Sequence, residues 1–194
     1  MDASTKRLRR TIQGIVLASF AVELLLAEAW LRLGRGSSIA GLLHSDGLEV
    51  PLVAGLALGL ATALASRVFF STLARDLTRE IFVPLLGRTT NADLLLLSVL
   101  PGLGEETLFR GVLQPEIGLP AASIVFGLLH SGLSRQLLPY GLWAALVGGV
   151  LGALYMVTGS LWGCIVAHAL INALGIGWMR RLTKTAKDST DPTS

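Results

Sequence analysis

Six polar side chains lie inside stretches of sequence that are otherwise apolar, and the carboxylates and imidazoles among them can move protons. They are Glu105, Glu106, Arg110, His130, His168 and Asn172. A polar group left unpaired in hydrocarbon costs several kcal/mol, so such residues are rare unless they have a function. A carboxylate and an imidazole, held away from bulk water, can act as a general acid and base. The set therefore predicts one shared functional site.

Each of these residues also has a purely structural interpretation. Glu106 and Arg110 stand in the favourable i,i+4 order for an ion pair within one helix. A single histidine on a helix is more often a hydrogen-bonded interior group than a catalyst. These interpretations are reasonable one at a time, but six such residues on three apolar segments are better explained together.

Helix geometry places three of the six at a similar depth. The rise is about 1.5 Å per residue, so Glu105 is expected roughly 14 Å from the helix end at Gln114. By the same rise, His130 is expected roughly 16 Å from Leu119, and His168 roughly 12 Å from its own helix start. We therefore expect the carboxylate and the two imidazoles to meet.

The spacing along each helix also predicts which side chains share a face. His168 and Asn172 are one turn apart and point the same way, whereas Glu105 and Glu106 are separated by about 100° around the helix axis. One glutamate can therefore face a cavity while its neighbour pairs with Arg110.

The composition indicates that these segments are membrane-spanning. Of 194 residues, 52% are hydrophobic and only 15% are charged, and the mean hydropathy is +0.65. A water-soluble domain of this length could not bury so much apolar surface. A doubly wound nucleotide-binding fold, a nucleic-acid binder and a secreted disulfide scaffold are excluded, and the lone Cys164 allows no internal disulfide. The sequence lacks the alternation of apolar and polar residues that is typical of the strands of an outer-membrane barrel.

We predict an all-α fold, a polytopic transmembrane bundle of about six helices, because about 20 apolar residues are needed for each crossing. The third tract contains Pro101, which predicts a kink, and the turn 115–118 leads into a short fourth segment. The predicted tracts are 11–33, 50–73, 94–114, 119–133, 140–157 and 160–178, with a polar outer loop at 34–49.

Basic residues predict the orientation. They cluster at 6–10, 67–88 and 180–187, and one orientation with both termini in the cytoplasm satisfies all three clusters. We expect a basic cytoplasmic N-terminus at 1–10, a single transmembrane domain at 11–179 and a basic, disordered cytoplasmic tail at 180–194. The net charge of +3 then reflects membrane topology, with no nucleic-acid partner.

Three short motifs resemble those of a known protease family. Residues 105–110 match EExxxR, residues 126–130 match FxxxH, and residues 168–172 match HxxxN. In this order, on successive apolar segments, they resemble the CPBP family (CAAX protease and bacteriocin-processing), also called Abi, which includes the Rce1-type prenyl-protein endopeptidases. The motif core covers about residues 90–178.

The resemblance implies hydrolysis of a peptide bond in a membrane-associated protein or peptide. Glu105, assisted by His130, would take a proton from the attacking water. His168 and Asn172 would donate hydrogen bonds to the oxyanion. It also implies an integral protein, which we expect in a bacterial plasma membrane with the lipid bilayer as partner, and a site within the bilayer that opens toward the cytoplasm.

Two features of the implied site stay open at the level of sequence. Glu106 with Arg110 would orient the first glutamate or help to protonate the leaving amine. A divalent metal such as zinc is an alternative to the metal-free scheme, since Glu105, His130 and His168 would supply three ligands and leave a water position. However, the HExxH pair of ligands on adjacent turns is missing.

The Rce1-type enzymes also have about eight membrane crossings, two more than we predict for this chain.

Two other classes of function compete with a protease. The first is a non-catalytic membrane scaffold or bacteriocin-immunity protein on the same fold, although a scaffold gains nothing from six desolvated polar groups. The second is a small transporter or proton pathway, for which Glu23, near mid-depth of the first tract, is the best support. No inverted repeat or pair of broken helices favours transport.

Overall fold

The computed structural model describes residues 3–45, 47–132 and 134–188, with side chains described up to residue 185, and its regular elements there are helices. Two π-helical turns, Thr78–Phe82 and Thr107–Leu113, and one 3₁₀ turn, Arg135–Leu137, join some of them. The α-helices are α1 (Ala3–Arg35), α2 (Ile39–Leu43), α3 (Glu49–Thr72), α4 (Arg75–Leu77), α5 (Val83–Leu86), α6 (Asn91–Glu106), α7 (Gln114–Ser131), α8 (Leu138–Thr158) and α9 (Leu161–Asp188).

Five helical stretches in the described ranges are long and apolar enough to cross a membrane. They are Ala3–Arg35, Glu49–Thr72, Asn91–Ser131, Arg135–Thr158 and Leu161–Thr185. The third contains Gly118, whose backbone leaves the helical region at φ 82° and ψ 162°. Glycine adopts such a positive φ at little cost. Phe109 and Phe126, on either side of this break, touch with ring centroids 4.8 Å apart, so the chain reverses at Gly118. The helical bundle is therefore confirmed, and the predicted third and fourth tracts form a hairpin.

The helix α9 occupies the centre of the bundle and packs against α3, α6 and α8. Its contact with α3 depends on small residues, because a Cβ at Gly55 would overlap the backbone of Gly163, and one at Gly59 would press on Ala167. Without water to drive helices together in a bilayer, such close backbone approach is a main source of association. The small-residue spacing thus brings α9, with His168, into the interior.

This contact predicts a measurable difference between two glycine-to-alanine changes. Gly55→Ala is expected to destabilise the protein by about 1–3 kcal/mol, because the new methyl group forces α3 away from α9. Gly14→Ala is the matched control, since no atom lies within 4 Å of that position and alanine favours a helix. Thermal unfolding in detergent checks both. An equal melting temperature for Gly55→Ala and the unchanged protein would contradict this packing.

Three local expectations differ in detail from the structure. The short helix α2 lies within the predicted outer loop, and Ser38 caps it by accepting a hydrogen bond from the Gly41 amide. The helix α6 continues through Pro101, and the irregular backbone lies further on, at the π-helical turn. The helix α9 continues to Asp188, so the predicted tail begins as helix. Asp46, Leu133 and residues 1–2 and 189–194 lie outside the described residues.

Candidate active site

Glu105 lies between two histidines from two other helices. Its Oε2 atom is 3.6 Å from Nε2 of His130 and 3.9 Å from Nε2 of His168. The Glu105 side chain is 17% exposed and the His130 side chain 20% exposed, and the Oε2 atom has no hydrogen-bond partner in the protein. The structure thus brings together three groups on α6, α7 and α9, with an unpaired carboxylate oxygen at the centre.

A backbone carbonyl determines which nitrogen of His130 carries its proton. Nδ1 lies 2.8 Å from the carbonyl oxygen of Phe126, one turn earlier on α7. A carbonyl oxygen only accepts, so Nδ1 must donate. In the neutral imidazole the lone pair is then on Nε2, the atom that faces Glu105. His130 is therefore oriented as a hydrogen-bond acceptor toward the carboxylate and any water beside it.

His168 is held by a second, fully buried carboxylate. Its Nδ1 lies 2.7 Å from Oε1 of Glu106, and Nε of Arg110 lies 3.1 Å from the other oxygen. Glu106 is 0% exposed and Arg110 2% exposed. Glu106 pairs with Arg110 as the sequence spacing suggested, but its hydrogen bond is to His168. The buried pair therefore orients an imidazole.

The guanidinium of Arg110 is enclosed by a helix backbone and an aromatic ring. One terminal nitrogen donates to the carbonyl oxygen of Gly148 at 3.0 Å, and the guanidinium carbon lies 4.8 Å from the ring centroid of Phe126. A cation over an aromatic face is stabilised when it is desolvated. Phe126, in the FxxxH motif, thus contacts both Arg110 and the His130 ring, whose centroid is 4.3 Å away.

The π-helical turn Thr107–Leu113 begins directly after the two glutamates and carries Arg110. Such turns leave backbone carbonyls without their usual partners and are frequent at functional sites. Arg35, at the end of α1, donates to the carbonyl oxygens of Gly111 and Val112 at 3.1 and 3.2 Å. The last turn of α1 therefore supports the backbone that presents the site.

A cavity of about 260 Å³ lies beside Glu105 and both histidines. Asn172 is in its wall, one turn beyond His168. The remaining wall is largely aromatic and aliphatic. All six side chains predicted from the sequence therefore lie in or directly behind one enclosure, with Glu106 and Arg110 behind His168.

Several aromatic residues at the cavity were not recognised from the sequence, and two of them lie on α8. Tyr140 and Trp143 both line the cavity, and the Tyr140 ring centroid is 5.4 Å from that of His130. Trp143 is fixed in turn by donating to the hydroxyl of Ser66 at 3.1 Å. Tyr140 and Trp143 lie on α8, an apolar helix that carries no motif. Only their spacing of three residues, which places both on one face of the helix, could have indicated a shared role.

The geometry around Glu105 differs from that of a zinc centre. Zinc–nitrogen bonds of about 2.0–2.1 Å in a tetrahedron place neighbouring ligand atoms about 3.4 Å apart. The separations of 3.6 and 3.9 Å from Glu105 to the histidines are wider. No group of three His, Cys, Asp or Glu side chains in the described ranges is arranged to hold a metal ion. The residues as placed do not fit zinc, and we derive no step through a metal.

Glu23 on α1 lies close to the site from another direction. Its Oε1 accepts a hydrogen bond from Ser19 at 2.7 Å, and its other oxygen lies where a side chain at Gly104 would point. Gly104 directly precedes Glu105, so the lack of a side chain there lets α1 approach α6. Glu23 therefore lies behind the backbone that carries Glu105, and it is not among the residues that line the cavity.

Comparison with known proteins supports the motif assignment. Residues 87–174 match the family described as Type II CAAX prenyl endopeptidase Rce1-like. This segment contains α6, α7, α8 and the half of α9 that carries the site, and the match confirms the predicted resemblance there.

One curated relative is the uncharacterized protein YpbD of Bacillus subtilis (strain 168). It is 40% identical to this chain over 82 residues, which make up 42% of this chain and 42% of the relative. The alignment thus spans about two fifths of the length of the curated relative. No solved structure matches the chain.

Proposed function

We propose that this protein is an intramembrane endopeptidase that hydrolyses a peptide bond of a membrane-associated protein or peptide. The observation that carries the proposal is the Glu105 oxygen without a hydrogen-bond partner, held between two imidazoles at a cavity. The match of residues 87–174 to an endopeptidase family supports the same reaction type. A scaffold would have no use for such an arrangement.

In the proposed mechanism, a water molecule donates its two hydrogens to Oε2 of Glu105 and Nε2 of His130. The gap of 3.6 Å between these acceptors is too long for a direct hydrogen bond, and both face the same space. As the water oxygen bonds to the scissile carbonyl carbon, its proton passes to Glu105. The products of this step are a protonated Glu105 and a tetrahedral oxyanion.

His168 and Asn172 supply the hydrogen bonds to the oxyanion. They lie one helical turn apart at the cavity, so Nε2–H of His168 and the amide N–H of Asn172 reach the same region. When His168 donates from both nitrogens it is an imidazolium, and the carboxylates of Glu105 and Glu106 together offset its charge and that of Arg110. Hydrogen bonds already positioned for a developing charge are often the largest contribution to catalysis.

The intermediate then collapses, and the proton held by Glu105 passes to the leaving nitrogen. The carbon–nitrogen bond breaks, and a carboxylic acid and an amine result. No group outside the protein, the peptide and the water is needed. Glu106 and Arg110 take no part in the proton transfer but hold His168 in place.

We propose that the site opens to the cytoplasm. The cavity wall runs from Glu105 to Phe82, Leu86 and Trp178, which lie in or beside the basic clusters at 67–88 and 180–187. Basic residues mark the cytoplasmic side of a bacterial inner membrane. A substrate would thus enter from that side, with its apolar part against the aromatic walls.

The experiment uses the full chain reconstituted in detergent or liposomes with a library of lipid-anchored and single-span peptides. Mass spectrometry should detect paired amine and carboxylate fragments from a subset of peptides, and cleavage should persist after treatment with a chelator. Activity that is lost on chelation and restored by zinc would contradict the metal-free mechanism. Absence of fragments, together with proton flux that Glu23→Gln abolishes, would overturn the protease and favour a transporter.

A further inference from the structure

A second cavity, of about 280 Å³, lies at the basic end of the bundle between α1, α5 and α6. Its polar wall includes Arg9, Gln13, Arg88 and Asp93, whereas Leu8 and Leu97 contribute to an apolar wall. Of its lining residues it shares only Leu97 with the cavity beside Glu105, and no charged residue. It is therefore a separate place where a ligand with both a charged and an apolar part would fit.

Asp93 makes its hydrogen bonds without Arg9. It accepts from the side chain of Gln13 and from both the amide and the hydroxyl of Thr90, each at 2.8 Å. The bonds from Thr90 form the capping box at the start of α6. Asp93 is only 1% exposed, so its buried carboxylate already accepts three hydrogen bonds from neighbouring groups.

The guanidinium of Arg9 is left with an unused donor. Its Nε lies 3.4 Å from Oδ2 of Asp93, an ion-pair distance, yet this buried nitrogen has no hydrogen-bond partner. Arg88 donates to the hydroxyl of Thr5 at a long 3.3 Å. Two arginines against one aspartate leave this cavity with one excess positive charge.

We infer that this cavity binds the phosphate of an anionic phospholipid. Guanidinium groups match phosphate oxygens in charge and geometry, and the excess of one positive charge suits a phosphodiester with one negative charge. Arg9 lies two residues before the first apolar tract, so the cavity lies at headgroup depth, and its apolar residues continue toward the acyl chains. This inference does not rest on the proposed hydrolysis.

The test is a lipid titration of the purified full chain by native mass spectrometry, with melting temperature as a second readout. Phosphatidylglycerol is compared with phosphatidylcholine of the same acyl chains, and inorganic phosphate is a third arm. We expect saturable binding of phosphatidylglycerol that raises the melting temperature. Phosphatidylcholine should bind at least about tenfold more weakly, because it carries no net charge.

The matched variants separate a built site from general surface attraction. Arg9→Gln with Arg88→Gln should weaken phosphatidylglycerol binding by about tenfold or more. Arg7→Gln with Arg10→Gln removes the same charge from exposed positions outside the cavity and should have little effect. Arg88→Gln alone, at an exposed position, keeps the test valid if the double variant unfolds, and should weaken binding in the same direction.

Two results would overturn the inference. Equal loss of binding in both double variants would show attraction to a diffuse positive surface. If inorganic phosphate stabilised the protein as much as phosphatidylglycerol does, the cavity would be a site for a free anion and not for a phospholipid.

Discussion

Replacing Glu105 with glutamine is expected to lower the rate of peptide cleavage by about 10²–10⁴-fold, the usual contribution of a general base. Glutamine keeps the size of the side chain but cannot take a proton from water. The melting temperature should stay close to that of the unchanged protein, since Oε2 of Glu105 has no hydrogen-bond partner to lose. The measurement is the cleavage rate on a peptide identified in the library, at saturating peptide.

Glu49→Gln is the matched control for this change. Glu49 is exposed at the start of α3 and does not line the cavity beside Glu105. Its cleavage rate should equal that of the unchanged protein. A Glu105→Gln protein that folds and cleaves at the unchanged rate would show that another group activates the water.

Removing one partner of the buried pair Glu106–Arg110 is expected to have the largest effect on stability. Glu106→Leu or Arg110→Leu alone should each cost about 3–5 kcal/mol, because a buried charge remains without compensation. The double variant should lose less unfolding free energy than the two single variants lose together, since the two leucines remove both charges at once. Unfolding free energies of the three variants give the coupling between the two side chains.

Glu28 and Arg32 form the control pair for this cycle. They have the same i,i+4 spacing on α1, but the side chains are 30% and 67% exposed. An exposed pair of this kind should show a coupling of about 0.3–0.5 kcal/mol. If the buried and exposed pairs gave the same coupling, Glu106 and Arg110 would not be the compensated pair that we describe.

The residues of the site could be anticipated because they depend on spacing along single helices. The i,i+4 rule places Glu106 beside Arg110 and His168 beside Asn172 whatever the surrounding fold. The similar depth of Glu105, His130 and His168 was predicted from helix rise to an end at Gln114, whereas the structure continues the helix to the break at Gly118. The reversal at Gly118 was also foreseeable, since Pro115 and Pro120 stand on either side of this glycine.

Contacts between helices could not be derived in this way. The hydrogen bond from His168 to Glu106 depends on how α9 is rotated against α6, and close backbone packing at Gly55 and Gly163 contributes to that position. The π-helical turn at Thr107–Leu113 shifts the faces that follow it, and no residue type marks it. Tyr140 likewise lines the cavity because of the position of α8 relative to the other helices, which the sequence does not give.

The most direct measurement is a single turnover in water enriched in ¹⁸O, with the protein in excess over the peptide. If Glu105 activates water, the new carboxylate of the first product contains ¹⁸O and Glu105 contains none. If Glu105 instead attacks the peptide and forms an anhydride that water opens at the Glu105 carbonyl carbon, the first product contains only ¹⁶O and the label enters the Glu105 side chain. The geometry between Glu105 and His130 predicts the first result, and an unlabelled first product would contradict it.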